Sequence, residues 1–271
     1  MYDYRENKER YKPNELGSLY IDDSKLSTNE RPIIYIGGQM EHRCHVLEQC
    51  GKTFEMGHEI FTGSWFYDYP VILRDKSKIT AEAFAANFLE ALNQSGLKEI
   101  DIVTESFGGL IGSYVSKDPR VHRIYAVHPP ITGTPLANPD LVRQYSELYS
   151  KQERLISLLV QRIIDKRYGF EKDNAKGVDL RKVDLNKLLV IGSAVDDQEQ
   201  SDLVRNLYSI IYKISGLPSD GVVIFDEELF RQKGINFVRE SRPLNHFDAG
   251  SEERLHEIKE FVISPVKHQS I

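Results

Sequence analysis

Cysteine is almost missing from this chain. Its two copies, Cys44 and Cys50, are too few for a disulfide framework and have no companions at zinc-ligand spacing. They read as two free thiols in a reducing compartment. Clusters of basic residues interleaved with aromatics are also missing, and a net charge of -6 gives nucleic acid no electrostatic footing. No apolar run approaches the roughly 18 residues that span a bilayer. The amino terminus, "MYDYRENKERYKPNELGS", has no apolar core of a secretory signal. Neither internal repeats nor low-complexity tracts occur. The chain of 271 residues, 40% hydrophobic and 28% charged, is long enough to bury a full core, and its expected location is the cytoplasm.

Residues 1–30 read as a polar, turn-rich lead-in, and residues 31–271 as one domain. Strands are expected at "PIIYI" (32–36), "YPVILRD" (69–75), "EIDIVTE" (99–105), "VHRIYAVH" (121–128), "KLLVIGSAV" (187–195) and "INFVRE" (235–240). Between the second and third of these, "TAEAFAANFLEALNQSG" puts Phe84, Phe88, Leu89 and Leu92 on one helical face. Thr80 is its N-cap and Gly96 its stop. Further helices are expected after Ser106, around 201–214, at 225–232 and from Ser251, where Leu255, Ile258 and Phe261 turn inward. Alternating β and α segments with near-continuous apolar strands predict an α/β fold: a mostly parallel sheet with helices on both faces. Residues 131–186 break the rhythm. Their stripe Leu155, Ile156, Leu159, Val160, Ile163 and Ile164 predicts a helical cap inserted over the sheet.

The stretch "DIVTESFGGLIGSYV" (101–115) reads as strand, sharp turn, helix, with Ser106 at the turn. Ser106 is either a nucleophile at a strand-to-helix corner or a serine in an ordinary glycine turn. A serine hydroxyl attacks only with a base in reach, a third group orienting that base, and N–H donors for the oxyanion. In the nucleophile elbow, small residues two before and two after the serine relieve a cramped backbone. Gly108 fits, whereas Thr104 is branched.

Order along the chain adds to this, because acid and then histidine must follow the serine. His246, in "RPLNHFDAG", lies between the last strand and the last helix, and Asp220, in "LPSDGVV", precedes it by one helix and one strand. Asp196 and Asp197 compete for the acid role, though either would leave an extra helix before the base. His128 is a rival base at a strand end, but it precedes every candidate acid. Oxyanion donors are available from the Phe107 N–H and from Gly38 and Gln39 in "YIGGQM".

With these residues in view, the chain resembles serine hydrolases of the α/β-hydrolase superfamily, and bacterial lipases and esterases in particular. "SDGVV" followed by "NHFDAG" is similar to the lipase pattern of Asp-Gly-(Leu/Val)-Val followed by Asn-His-Leu-Asp, and "ITGTPLA" (131–137) resembles the start of a lipase cap. The resemblance covers residues 32–262. It implies the α/β-hydrolase fold, Ser106 as nucleophile, His246 as base, Asp220 as acid, and the Gln39 and Phe107 amides as oxyanion hole. Asp248 is similar to a calcium ligand of some lipases. Two positions depart from the pattern: Gly37-Gly38 replaces the usual His-Gly, and Glu105 stands where lipases commonly carry histidine. The implied activity is hydrolysis of a small-molecule or lipid carboxylic ester, without cofactor or metal. Acyl transfer with the same triad, or a silent fold used as a binding module, are the alternatives.

Overall fold

The computed structural model describes residues 9–13, 16–26, 31–38, 60–67, 80–138, 140–141, 171–195, 202–246 and 252–263. Among these, one sheet contains β1 (Glu9–Tyr11), β2 (Gly17–Ile21), β3 (Ile33–Ile36), β4 (Gly63–Tyr67), β5 (Ile100–Glu105), β6 (Val121–Val127), β7 (Leu188–Gly192) and β8 (Asn236–Arg239). Their spatial order is β1-β2-β4-β3-β5-β6-β7-β8. The first two pairings, β1 with β2 and β2 with β4, are antiparallel, and all the others are parallel. The described helices are α1 (Ala81–Ser95), α2 (Gly108–Val115), α3 (Glu171–Lys176), α4 (Asp202–Ser215), α5 (Glu227–Gln232) and α6 (Glu252–Ile263).

The period of two along each strand divides the core into layers. Ile34, Ile36, Ile102, Ile124 and Ala126 face one side, where Phe84 and Phe88 of α1, Leu110 and Ile111 of α2 and Phe230 of α5 cover them. Ile33, Tyr35, Val103, Tyr125 and Val127 face the other, against Ile258 and Phe261 of α6. Both faces are therefore buried under helices, as the apolar runs require. The expected limits of α1 hold: Thr80 Oγ1 accepts from Ala83 N at 3.0 Å, and Gly96 ends the helix at φ 71°.

One expectation is overturned, and one strand that the sequence did not announce lies beside β3. The strand beside β3 is Gly63–Tyr67, ahead of the expected 69–75, a stretch outside the described residues. Trp65 anchors it, buried against Phe84 with its indole N–H donating to Asn87 Oδ1 at 3.1 Å, while Ser64 Oγ donates to Tyr35 O at 3.1 Å. The polar lead-in also contains two strands. Leu19 and Ile21 are buried, and β2 pairs with β4 from Gly17↔Tyr67 to Ile21↔Gly63, so the apolar core of "GSLYI" outweighs its polar flanks. The cap stripe 155–164 and both cysteines lie outside the described residues. No described helix is long and apolar enough to cross a membrane.

Parallel pairing from β3 to β8 brings the carboxyl ends of five strands to one edge. Gly38, Ser106, His128, Ser193 and Glu240 follow those ends directly or within two residues. Open α/β sheets bind their ligands at this edge.

Candidate active site

Ser106 turns the chain from β5 into α2. Its φ of 50° is left-handed backbone, which only a constrained corner imposes on a serine. The corner is held from both sides, Ser106 N donating to Val127 O at 2.9 Å and Gly109 N to Ser106 O at 2.9 Å. Gly108 is needed because a Cβ there would stand 2.3 Å from Ile36 O. Thr104 is accommodated from the helix side: a Cβ on Gly112 would lie 2.7 Å from Thr104 Cγ2, so the missing side chain at 112 makes the room.

From that corner a hydrogen-bonded chain runs inward. His246 Nε2 stands 2.9 Å from Ser106 Oγ, and His246 Nδ1 stands 2.8 Å from Asp220 Oδ2. Asp220 is fully buried, and its Oδ1 accepts from Val222 N at 2.8 Å and Val223 N at 2.6 Å. The two loops are also joined through backbone, His246 N donating to Asp220 O at 3.1 Å. Burial opposes charge on Asp220, but His246 and His128 outweigh it and hold the carboxyl far below the usual carboxylate range.

Three residues that sequence reasoning placed far apart in the chain are thus brought together: Ser106, Asp220 and His246. Phe107 follows the serine at the start of α2, its ring buried edge-on against Phe84 with centroids 6.2 Å apart. Gln39, Asp196, Asp197 and Asp248 lie outside the described residues. Gly38 is at hand, since a Cβ on it would approach Ser106 Cβ to 3.1 Å. Glu105 is engaged elsewhere, its Oε2 accepting from Tyr35 Oη at 2.8 Å.

Sequence reasoning missed what lies behind Asp220. His128, set aside as a strand-end residue, is buried and hydrogen-bonds through Nδ1 to the same Asp220 Oδ2 that His246 uses. Its Nε2 stands 2.8 Å from Glu240 Oε2 and 2.9 Å from an Arg254 guanidinium nitrogen. Arg254 Nε donates to Glu240 Oε1 at 2.9 Å, and Ser193 Oγ donates to Glu240 Oε2 at 2.7 Å. One signal was available in the sequence. Arg254 precedes Ile258 by four residues, which puts a charge on the apolar stripe of α6. Among the described residues His128, Asp220 and His246 also have ligand-type atoms within 4.8 Å of one another. Each imidazole nitrogen facing Asp220 is at direct hydrogen-bond contact with the carboxylate, which describes a proton-linked set.

No protein-family model and no curated protein matches the chain. Solved structures do. MGS-M2, an α/β hydrolase enzyme from a Medee basin deep-sea metagenome library, is 15% identical with a TM-score of 0.53, over 94% of this chain and 96% of that one. A proline iminopeptidase-related protein of Thermus thermophilus is 13% identical with a TM-score of 0.52, over 95% and 98%. The mature Bacillus licheniformis lipase BlEst2 is 16% identical with a TM-score of 0.50, over 94% and 96%. The chain has the α/β-hydrolase fold, and the neighbours' differing names leave the substrate to be argued from the site.

Proposed function

We propose that the protein is a serine hydrolase that cleaves carboxylic esters through an acyl-enzyme. The observation that carries this reading is the unbroken hydrogen-bonded line from Ser106 Oγ through both nitrogens of His246 to Asp220, starting at a left-handed corner. In the first half-reaction His246 Nε2 takes the Ser106 proton as Oγ attacks the ester carbonyl. The same nitrogen then protonates the departing alcohol. Water repeats the sequence on the acyl-serine, and the carboxylic acid leaves. Asp220, fixed by two backbone N–H groups, keeps His246 in the tautomer that presents a bare Nε2 to the serine and stabilises the imidazolium that forms.

The Phe107 and Gln39 amides are the oxyanion donors in this reading, and loss of one such donor costs roughly 3–4 kcal/mol of barrier. The aliphatic stripe 155–164, which the sequence assigns to a helical cap, favours an apolar acyl or lipid group, so the substrates proposed are small-molecule or lipid esters and the location proposed is the cytoplasm. Rate should rise toward neutral and slightly alkaline pH, where the base is unprotonated. Two features favour a silent binding module, the branched Thr104 and the departure of Gly37-Gly38 from the usual His-Gly, and the first loses weight because Gly112 accounts for its fit.

An active-site-directed fluorophosphonate tests the reading. It should label the wild type and leave Ser106→Ala unlabelled. A folded wild type that takes no label would overturn it. A nitrophenyl ester series then reads the acyl preference, where a maximum at short chains counts against the lipid substrate, and added alcohols or amines would reveal a transferase by their products.

A further inference from the structure

The group least explained by a Ser-His-Asp relay is His128. Three observations single it out. Among the described residues only Ser106 and His128 hold a left-handed backbone without being glycine, at φ 50° and 46°, and they follow adjacent parallel strands β5 and β6. Such strain persists only where the surroundings enforce it. Both ring nitrogens of His128 are engaged with carboxylates, Nδ1 with Asp220 and Nε2 with Glu240 at 2.8 Å. Finally, the side chains of His128, Asp220, Glu240 and Arg254 are all at most 2% exposed.

Charge decides what form the imidazole takes. Asp220 and Glu240 bring two negative charges into this buried set, and Arg254 returns one positive. An unbalanced charge with so little water costs several kcal/mol, and protonated His128 removes the imbalance. Hydrogen-bond geometry agrees. A neutral ring with its proton on Nδ1 would aim a lone pair at Glu240 Oε2, 2.8 Å away. The guanidinium nitrogen 2.9 Å from Nε2 has an acceptor of its own in Asn245 O at 3.2 Å, and Glu240 Oε2 is the acceptor within reach of a proton on Nε2. The groups facing His128 are Asp220 from the loop after α4, Glu240 from the end of β8, Arg254 from α6, and the His246 ring at 6.2 Å between centroids. Burial and Arg254 push the ring toward neutrality, while the two carboxylates prevail and raise its proton affinity.

We infer that His128 is a positioning residue of the relay: a buried imidazolium that shares Asp220 Oδ2 with His246 and thereby limits how far Asp220 stabilises the imidazolium formed on His246 during the reaction. The inference rests on the proposed roles of Ser106 and His246. A carboxylate shared with a permanent cation stabilises a second imidazolium less than an unshared one. Charge on His128 therefore bears on the acidic limb of the rate profile.

The test is His128→Asn in the full chain. Asparagine keeps a neutral N–H donor for Asp220 and tolerates left-handed backbone, but it carries no charge. The acidic limb of the pH profile of kcat/KM for a nitrophenyl ester should move up by about one unit. That is a roughly tenfold loss on the limb, with the alkaline plateau little changed. A folded variant whose limb stays in place overturns the inference, because a merely structural role would lower the rate without moving the limb. Should this variant not fold, imidazole 15N spectra of the wild type decide. One of the eight histidines should carry protons on both nitrogens from pH 5 to 9, and its absence overturns the inference. Failure of the fluorophosphonate to label Ser106 would instead sink the parent reading, while the spectra still report the charge on His128.

Discussion

At the residue scale, the corner depends on a pair of side chains that no local pattern contains. Thr104 carries a branched side chain two places before Ser106, and Gly112, about one turn into the following helix, leaves the space for it. A Cβ at 112 would also come within 3.2 Å of Ile124 Cγ2, so the helix has no easy way to yield. Gly112→Ala should therefore destabilise the protein by about 1–3 kcal/mol, as overpacking does, and slow fluorophosphonate labelling as the corner shifts. Adding Thr104→Ser deletes Cγ2 and should restore much of the loss. Denaturant unfolding of both single variants and the double variant checks this, and simple additivity would remove the steric account. The same pair marks the limit of sequence reading here. Five residues around Ser106 reveal the turn, but the partner of Thr104 depends on the angle at which the helix leaves it. Asp220 and His246 could be found because loop order along the chain restricts which residues reach the carboxyl edge. His128 was discarded by that very argument, since a residue that precedes Asp220 in the chain can still end the strand next to Ser106.

Elements were legible where their signals are local. Helix α1 has its cap, apolar face and stop within 17 residues, and all three appear where the sequence puts them. Thr80→Ala should cost about 1 kcal/mol by freeing the Ala83 N–H, with fluorophosphonate labelling at Ser106 unchanged, because the cap lies outside the serine's hydrogen-bonded line. A melt that does not move would mean that packing of Phe84 and Phe88 alone fixes the helix start. Strand β4 shows the opposite case. "GSWFY" opens with two turn-forming residues, and nothing local says that its neighbours are β2 on one side and β3 on the other. Trp65 is held by Asn87, 22 residues away on α1. Strands β1 and β2 were hidden in the same way, their pairing set by the sheet edge they join.

At the scale of the molecule, Glu240 connects parts that are remote in sequence: the end of β8, the turn after β7 through Ser193, the end of β6 through His128, and α6 through Arg254. Burial opposes its ionisation, yet His128, Arg254 and Ser193 together hold its carboxyl at about 2 against an ordinary 4.5. A carboxyl depressed by folding stabilises the native state fully above its unfolded value, and that contribution disappears as pH falls through the folded one. The window is therefore pH 4.5 down to about 2, and the stability at stake is on the order of 2–3 kcal/mol. Glu240→Gln removes the titrating group while keeping its shape. The variant should be less stable than wild type at pH 7, with the gap narrowing by that amount as both are titrated through the window. Asp118, held low by its hydrogen bond from Arg120, titrates in both proteins and cancels in the difference. Chemical unfolding at a series of pH values measures the gap directly. Two curves that run parallel from pH 5 to 2 would show that Glu240 gains nothing from its buried partners, and the imidazolium assigned to His128 would lose the carboxylate that anchors it.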